Sequence, residues 1–202
     1  SLGVKDVHRR LTQRIPDAAS EMLILDPCEA LVCVRGDLEA VSRVLAPELT
    51  FISAILTDSD QVHGRRLRAD TGSHYGVITV SRGPSGMCAN YDDSLGGVCL
   101  FLKASANAFI GWLRSSALWE SLPELKVNAW GVQKNATDCG VFACLFAEVR
   151  ALAFFAAGEL NPPTQAMASA RRSFLAALQG AFREQSSRGN AVAPCLPSSL
   201  SL

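Results

Sequence analysis

Histidine is scarce in this chain: three occur in 202 residues, His8, His63 and His74. Any chemistry that needs an imidazole base must use one of them. The seven cysteines make no Cys-x-x-Cys pair, and no His-x-x-x-His spacing occurs, which argues against a zinc site. Net charge is lacking as well. The 19 Lys and Arg balance 19 Asp and Glu, so no overall field favours nucleic acid. The nearest basic cluster, Arg65-Arg66-Leu67-Arg68, reads as a solvated loop, or as a contact for an acidic surface. A membrane span is missing too: the most apolar run, Val141 to Ala157, is interrupted by Glu148 and Arg150, and a span needs about 20 predominantly apolar residues. That run reads instead as a buried central helix. An odd number of scattered cysteines, with no signal-type segment ahead of them, fits reduced thiols in a cytoplasmic or nuclear protein.

The chain is long enough to bury a real core in one domain, expected over residues 1–184. From Gln185 onward it is rich in Ser, Pro and Gly and reads as a disordered tail, residues 185–202. Between these limits the pattern predicts a helix over Lys103 to Leu122, a short strand over Leu125 to Trp130, and an amphipathic helix over Pro163 to Arg183. No metal and no cofactor is called for.

The most informative segment is Gln133-Lys134-Asn135-Ala136-Thr137-Asp138-Cys139-Gly140. It sets one cysteine at the mouth of an apolar helix, which Gly158, Pro162 and Pro163 bring to a stop. A cysteine in the first helical turn feels the positive end of the macrodipole, which favours the nucleophilic thiolate. Gln133 can reach back over the loop and offer an amide N–H to a developing oxyanion. Cys144, farther along the same helix, lies on another face and reads as plain core.

A cysteine nucleophile needs a base, and the base needs an orienting group. His8 lies among Lys5, Arg9 and Arg10, the pattern of a solvated helix face, and His63 lies in the polar run 58–70. His74 opens His74-Tyr75-Gly76-Val77-Ile78-Thr79-Val80, a strand by its β-branched content. The turn Ser81 to Gly86 and a second strand, Met87 to Asp92, follow. If Val80 faces Met87, His74 falls opposite Asp93 on the same face, with Cβ atoms about 4.5–5.5 Å apart. Asp92 then points to the other face; a bulge in the turn would exchange the two aspartates.

Taken together, three segments resemble the Ulp and sentrin-specific protease family of cysteine peptidases. Ser73-His74-Tyr75-Gly76-Val77 is similar to the family's His-Trp strand. Tyr91-Asp92-Asp93-Ser94-Leu95 resembles its aromatic-x-Asp-Ser strand end, which selects Asp93. Gln133 to Gly140 resembles its Gln-x-Asn-x-x-Asp-Cys-Gly nucleophile loop, the most specific of the three. The likeness extends over about residues 22 to 185 and runs nearest to the small deneddylase-like branch. Tyr75 stands where the family usually has Trp, and the family's upstream Trp-Leu-Asn-Asp segment has no counterpart in residues 1–21, which contain no Trp.

The resemblance implies an α+β, papain-like fold in permuted His-Asp-Cys order, with a central mixed sheet flanked by helices. It implies a monomeric thiol protease acting after the C-terminal Gly-Gly of a ubiquitin-like modifier, either the neddylation modifier or SUMO, and on its conjugates. By position, Cys139 would be nucleophile, His74 base and acid, Asp93 orienter and Gln133 oxyanion donor. Tyr75 would cover the substrate tail, and Trp130 is a candidate for lining its channel. An idle domain that binds the modifier without cleaving it, or an acetyltransferase on the same fold, would share these features.

Overall fold

The computed structural model describes residues 2–34, 38–58, 74–95, 97, 99–131, 133 and 138–157. The helix expected over Pro163 to Arg183, the tail from Gln185, the run holding His63 and Arg65 to Arg68, Ser73, and Lys134 to Thr137 all lie outside the described residues.

Five strands form one mixed sheet in the order β1-β2-β3-β4-β5. They are β1 (Met22–Leu25), β2 (Phe51–Thr57), β3 (Tyr75–Gly83), β4 (Gly86–Asp93) and β5 (Lys126–Ala129). The outer pairs, β1 with β2 and β4 with β5, are parallel; the inner pairs are antiparallel. Strand β2 is buried on both faces over Phe51 to Leu56, as suits a run with apolar side chains on both sides of the pleat.

Helices cover both faces. On one, α2 (Pro27–Val34), α3 (Leu38–Val44) and α4 (Leu100–Arg114) close over Ile52, Ala54, Ile78, Val80 and Tyr91. On the other, α1 (Leu2–Arg14) and α5 (Cys139–Ala157) close over Met22, Ile24, Phe51, Ile55 and Val77. Helix α5 is apolar and long enough to cross a membrane by length and composition alone. Here Phe142, Leu145, Phe146 and Ala151 are buried in the core between the sheet and α1. Helix α1 turns Val4, Val7 and Leu11 inward and leaves His8 exposed. Arg10 of α1 bridges Asp6 and Glu148, tying α1 to α5.

Two expectations need correction. Helix α4 stops at Arg114 rather than near Leu122. The hydroxyls of Ser115 and Ser116 donate to the carbonyls of Trp112 and Leu113, competing with continuation of the helix. The β3–β4 hairpin is also tighter than assumed. Gly83 pairs with Gly86 across Pro84-Ser85, and Gly86 takes φ 102°, a conformation glycine adopts without strain. Val80 therefore pairs with Ala89, not Met87. A slip of two residues leaves every side chain on its expected face, because the strand period is two. Asp93 still shares a face with His74, as its diagonal rather than its direct partner.

Candidate active site

The site lies where β3 begins, β4 ends and α5 begins. His74 immediately precedes β3 and is pinned through its backbone: its N–H donates to the Asp58 carboxylate (2.8 Å), and its carbonyl accepts from Asp58 N–H (3.3 Å). Its Nε2–H donates to Asp93 Oδ1 at 2.8 Å. A second hydrogen bond joins the ring to Cys139. With Nε2 engaged by Asp93, that bond falls to Nδ1. The hydrogen bonds to Asp93 and then Cys139, assisted by their negative charge, push the imidazole up to about 10 against the opposing effect of burial. The ring is therefore held as imidazolium at neutral pH.

Asp93 is fully buried. Burial works to raise its carboxyl, but bonds from His74, Leu95 N–H and the Tyr91 hydroxyl outweigh it and hold it below the usual range. The Tyr91 hydroxyl donates to Oδ2 at 2.9 Å, and burial together with Asp93 keeps that phenol protonated by raising it. Gly76 makes room for this arrangement: a Cβ there would stand 2.7 Å from Tyr91 Cε2 and 2.7 Å from its hydroxyl. Tyr91 is itself fully buried and has nowhere to retreat. Gly76→Ala is expected to destabilise the protein by about 1–3 kcal/mol through overpacking. Gly111→Ala, on an open face of α4, should instead stabilise by about 0.5–1 kcal/mol. Urea denaturation of the two variants checks the contrast; equal midpoints would refute it.

Cys139 opens α5, whose first turn is closed by Phe142 N–H donating to Asp138 O at 2.9 Å. Its backbone N–H is among those left without an intrahelical acceptor at a helix start. The ring of Tyr75 lies against this turn, 3.6 Å from where a Cβ on Gly140 would stand. Farther along the same helix Cys144 lies in the apolar core, and burial pushes its thiol up to about 12.

Gln133 reaches the site on the arm that leaves β5. Trp130 N–H donates to Asp93 O, Gly131 N–H to Leu95 O and Gln133 N–H to Ser94 O, so the arm runs beside the end of β4. Gly131 adopts φ 60°, which lets the arm turn. The Ser94 hydroxyl donates to Gln133 Oε1 at 2.6 Å. This fixes which way the amide points, with its nitrogen as the donor on the far side. Trp130 directs its Nε1–H to Asp92 Oδ1 (2.9 Å) and stacks on Phe146, with ring centroids 6.0 Å apart.

The structure thus brings His74, Asp93, Cys139 and Gln133 to one corner, with Tyr75 beside the helix start. Trp130 packs beneath that corner on the α5 side. Sequence reasoning assigned no part to Asp58, Tyr91 or Ser94. Tyr91 could have been found, since it stands two residues before Asp93 and shares its face. Ser94 stood in the sequence only as the serine of the aromatic-x-Asp-Ser match, with no role attached, and Asp58 gave no signal of its own. No group of His, Cys, Asp and Glu suited to a metal ion occurs among the described residues.

No protein-family profile matches the sequence, and no curated protein matches it. Solved structures do. The Xanthomonas campestris effector XopD bound to ubiquitin aligns with a TM-score of 0.53 at 16% identity, over 85% of this chain and 86% of that one. A de-sumoylating protease aligns with 0.54 at 12% identity, over 86% and 75%. The C-terminal Ulp1 protease domain in complex with Smt3, the yeast ortholog of SUMO, aligns with 0.52 at 15%, over 83% and 72%. The fold is that of the Ulp1-type cysteine protease domain. At these identities the likeness establishes the Ulp1-type architecture, α+β with a mixed five-stranded sheet, and nothing finer.

Proposed function

We propose that this protein is a cysteine protease that cleaves after the C-terminal Gly-Gly of a ubiquitin-like modifier. The observation that carries the reading is the contact chain Asp93–His74–Cys139, with the cysteine at a helix start. The Ulp1-type fold, seen in complexes with ubiquitin and with a SUMO ortholog, supports the choice of substrate class. Within that class the sequence resemblance favours the neddylation modifier or SUMO, in precursor processing or deconjugation.

The chemistry follows from the geometry. The imidazolium of His74 stabilises a thiolate at Cys139, helped by the helix dipole. Sulfur attacks the carbonyl carbon of the terminal glycine, which Tyr75 holds against the first turn of α5. The oxyanion is received by the Gln133 amide and the Cys139 backbone N–H. The tetrahedral intermediate collapses as His74 gives its proton to the leaving amine. Water then attacks the thioester, His74 takes its proton, and the carboxylate product leaves with Cys139 restored.

Covalent capture tests the reading. Probes made from SUMO, the neddylation modifier and ubiquitin, each with a C-terminal electrophile, are incubated with the protein and the mass is read. An adduct that maps to Cys139 is expected; folded protein that captures none of the three would overturn the proposal. Gln133→Ala is expected to lower kcat by about 10²–10³-fold with little change in KM, the usual effect of removing one oxyanion donor. Steady-state kinetics on a modifier C-terminal coumarylamide measures it, and an unchanged kcat would remove Gln133 from the mechanism.

A further inference from the structure

The two aspartates that end β4 point to opposite faces of the sheet. Asp93 meets His74; Asp92 meets the nucleophile helix. Asp92 is fully buried, and its carboxylate accepts four hydrogen bonds. Arg150 Nε donates to Oδ2 at 2.8 Å and Arg150 Nη2 to Oδ1 at 2.6 Å, a two-pronged pair. Trp130 Nε1 donates at 2.9 Å and Asn128 Nδ2 at 3.0 Å, both to Oδ1. These donors come from three places: α5, the strand β5, and the start of the arm that carries Gln133. We propose that Asp92, through Arg150 and Trp130, is the positioning residue that sets Cys139 and Gln133 in register with His74 and Asp93.

The case rests on direction. Away from its first turn, where Cys139 meets His74, the described part of α5 packs in the core through apolar side chains such as Phe142, Phe146, Ala151 and Phe154, and apolar packing is non-directional. Such a surface permits small slides of the helix along its axis. A two-pronged Arg–carboxylate bond does not, because both N–H···O vectors must be kept. Arg150 lies on the same rigid helix as Cys139, about 16 Å along it by helix rise, so fixing one fixes the other. Asp92 is joined to Asp93 by a single peptide bond, so the reference point is the triad's own strand. The same carboxylate grips the indole of Trp130, three residues before Gln133.

Stability alone does not account for the pair. A fully buried ion pair is often no more stabilising than apolar residues of the same volume; its best-attested use is to fix register. Arg150 Nη1 is moreover buried with no hydrogen-bond partner among the described residues, a cost that apolar side chains would avoid.

The inference rests on the proposed protease reading, and its test separates the two. The double variant Asp92→Leu, Arg150→Met removes both charges and keeps a packed core. It is expected to stay folded with an unfolding temperature close to the parent's, relief of the buried charges offsetting the acceptor lost to Trp130 and Asn128. On the C-terminal coumarylamide of SUMO, the neddylation modifier or ubiquitin, kcat is expected to fall about 10²-fold, the scale of an ångström's misplacement. KM should stay within about threefold, since the substrate surface is untouched. Arg150→Lys, which keeps the charge and loses the fork, should show a smaller loss of the same kind, and decides the matter if the double variant does not fold. Alkylation of Cys139 by iodoacetamide is followed in parallel and needs no modifier substrate. Should the parent turn over no C-terminal coumarylamide of SUMO, the neddylation modifier or ubiquitin, the protease reading fails, and a slower Cys139 alkylation in the variants would still support the positioning role. A folded variant with parental kcat, or with parental alkylation rate where turnover is absent, overturns it.

Discussion

Cys139→Ala is expected to abolish turnover while leaving the modifier bound. The sulfur is the atom that would form the thioester, and no other described cysteine can replace it. Cys144 is on the same helix, but its thiol is buried in apolar core and pushed up to about 12. Removing the nucleophile of a comparable triad costs about 10⁶-fold in kcat, which would place the variant at the detection limit of a fluorogenic assay. Binding should survive, because the contacts that hold a modifier lie outside the sulfur. Alanine removes one partner of His74 but leaves its bond to Asp93 in place, so the fold is expected to tolerate it. Paired measurements decide: turnover by coumarylamide release, and affinity for the intact modifier by calorimetry. Residual turnover within tenfold of the parent would mean that Cys139 is not the nucleophile.

Asp93→Asn carries the second large effect. The carboxylate is the leading cause that pushes His74 up to about 10. In the parent, the imidazolium persists below that value and is lost as pH rises through it. The proton needed by the leaving amine disappears over the same range, giving an alkaline limb that approaches pH 10. With asparagine the negative charge is gone, and His74 falls back toward its ordinary value of 6.5. The alkaline limb of kcat/KM should then move down, by less than the full span because Cys139 also raises His74. At neutral pH the loss can reach about 10⁴-fold, the cost of the equivalent change in a serine-protease triad. Stability offers a second reading with a fixed sign. A folded-state value raised from 6.5 contributes stability that is full below pH 6.5 and is lost between there and about pH 10. The parent should therefore weaken across that window in urea denaturation, and Asp93→Asn should show a flatter profile. An alkaline limb that stays in place would show that Asp93 does not govern His74.

Much of the site was legible because its residues are rare or placed at element ends. With three histidines in the chain, only His74 opened a strand, and only Cys139 stood at the mouth of an apolar helix. Face parity selected Asp93 even though the assumed register was two residues out, since a two-residue slip preserves the face. Helix α4 was overextended because side-chain competition at Ser115 and Ser116 leaves no mark on apolar periodicity. Arg150 is the instructive miss. In the sequence it served only to interrupt an apolar run, yet a charge inside a buried helix demands a partner, and Asp92 was the aspartate left over.

The sequence by itself determined the alternation of strands and helices, the apolar run that becomes α5, and the residue types that cysteine-nucleophile chemistry requires. Those are properties of neighbours along the chain, where a period of 2.0 or 3.6 and the start of a helix are written locally. Only the tertiary structure decided that β1 and β5 pair in parallel with their neighbours, that Tyr91 fits under Gly76, and that Ser94 turns the Gln133 amide. Tertiary packing alone also joined Asp92 to an arginine 58 residues away. Each of these depends on two distant segments meeting at a set distance and angle, and close packing, rather than any local preference, fixes that geometry.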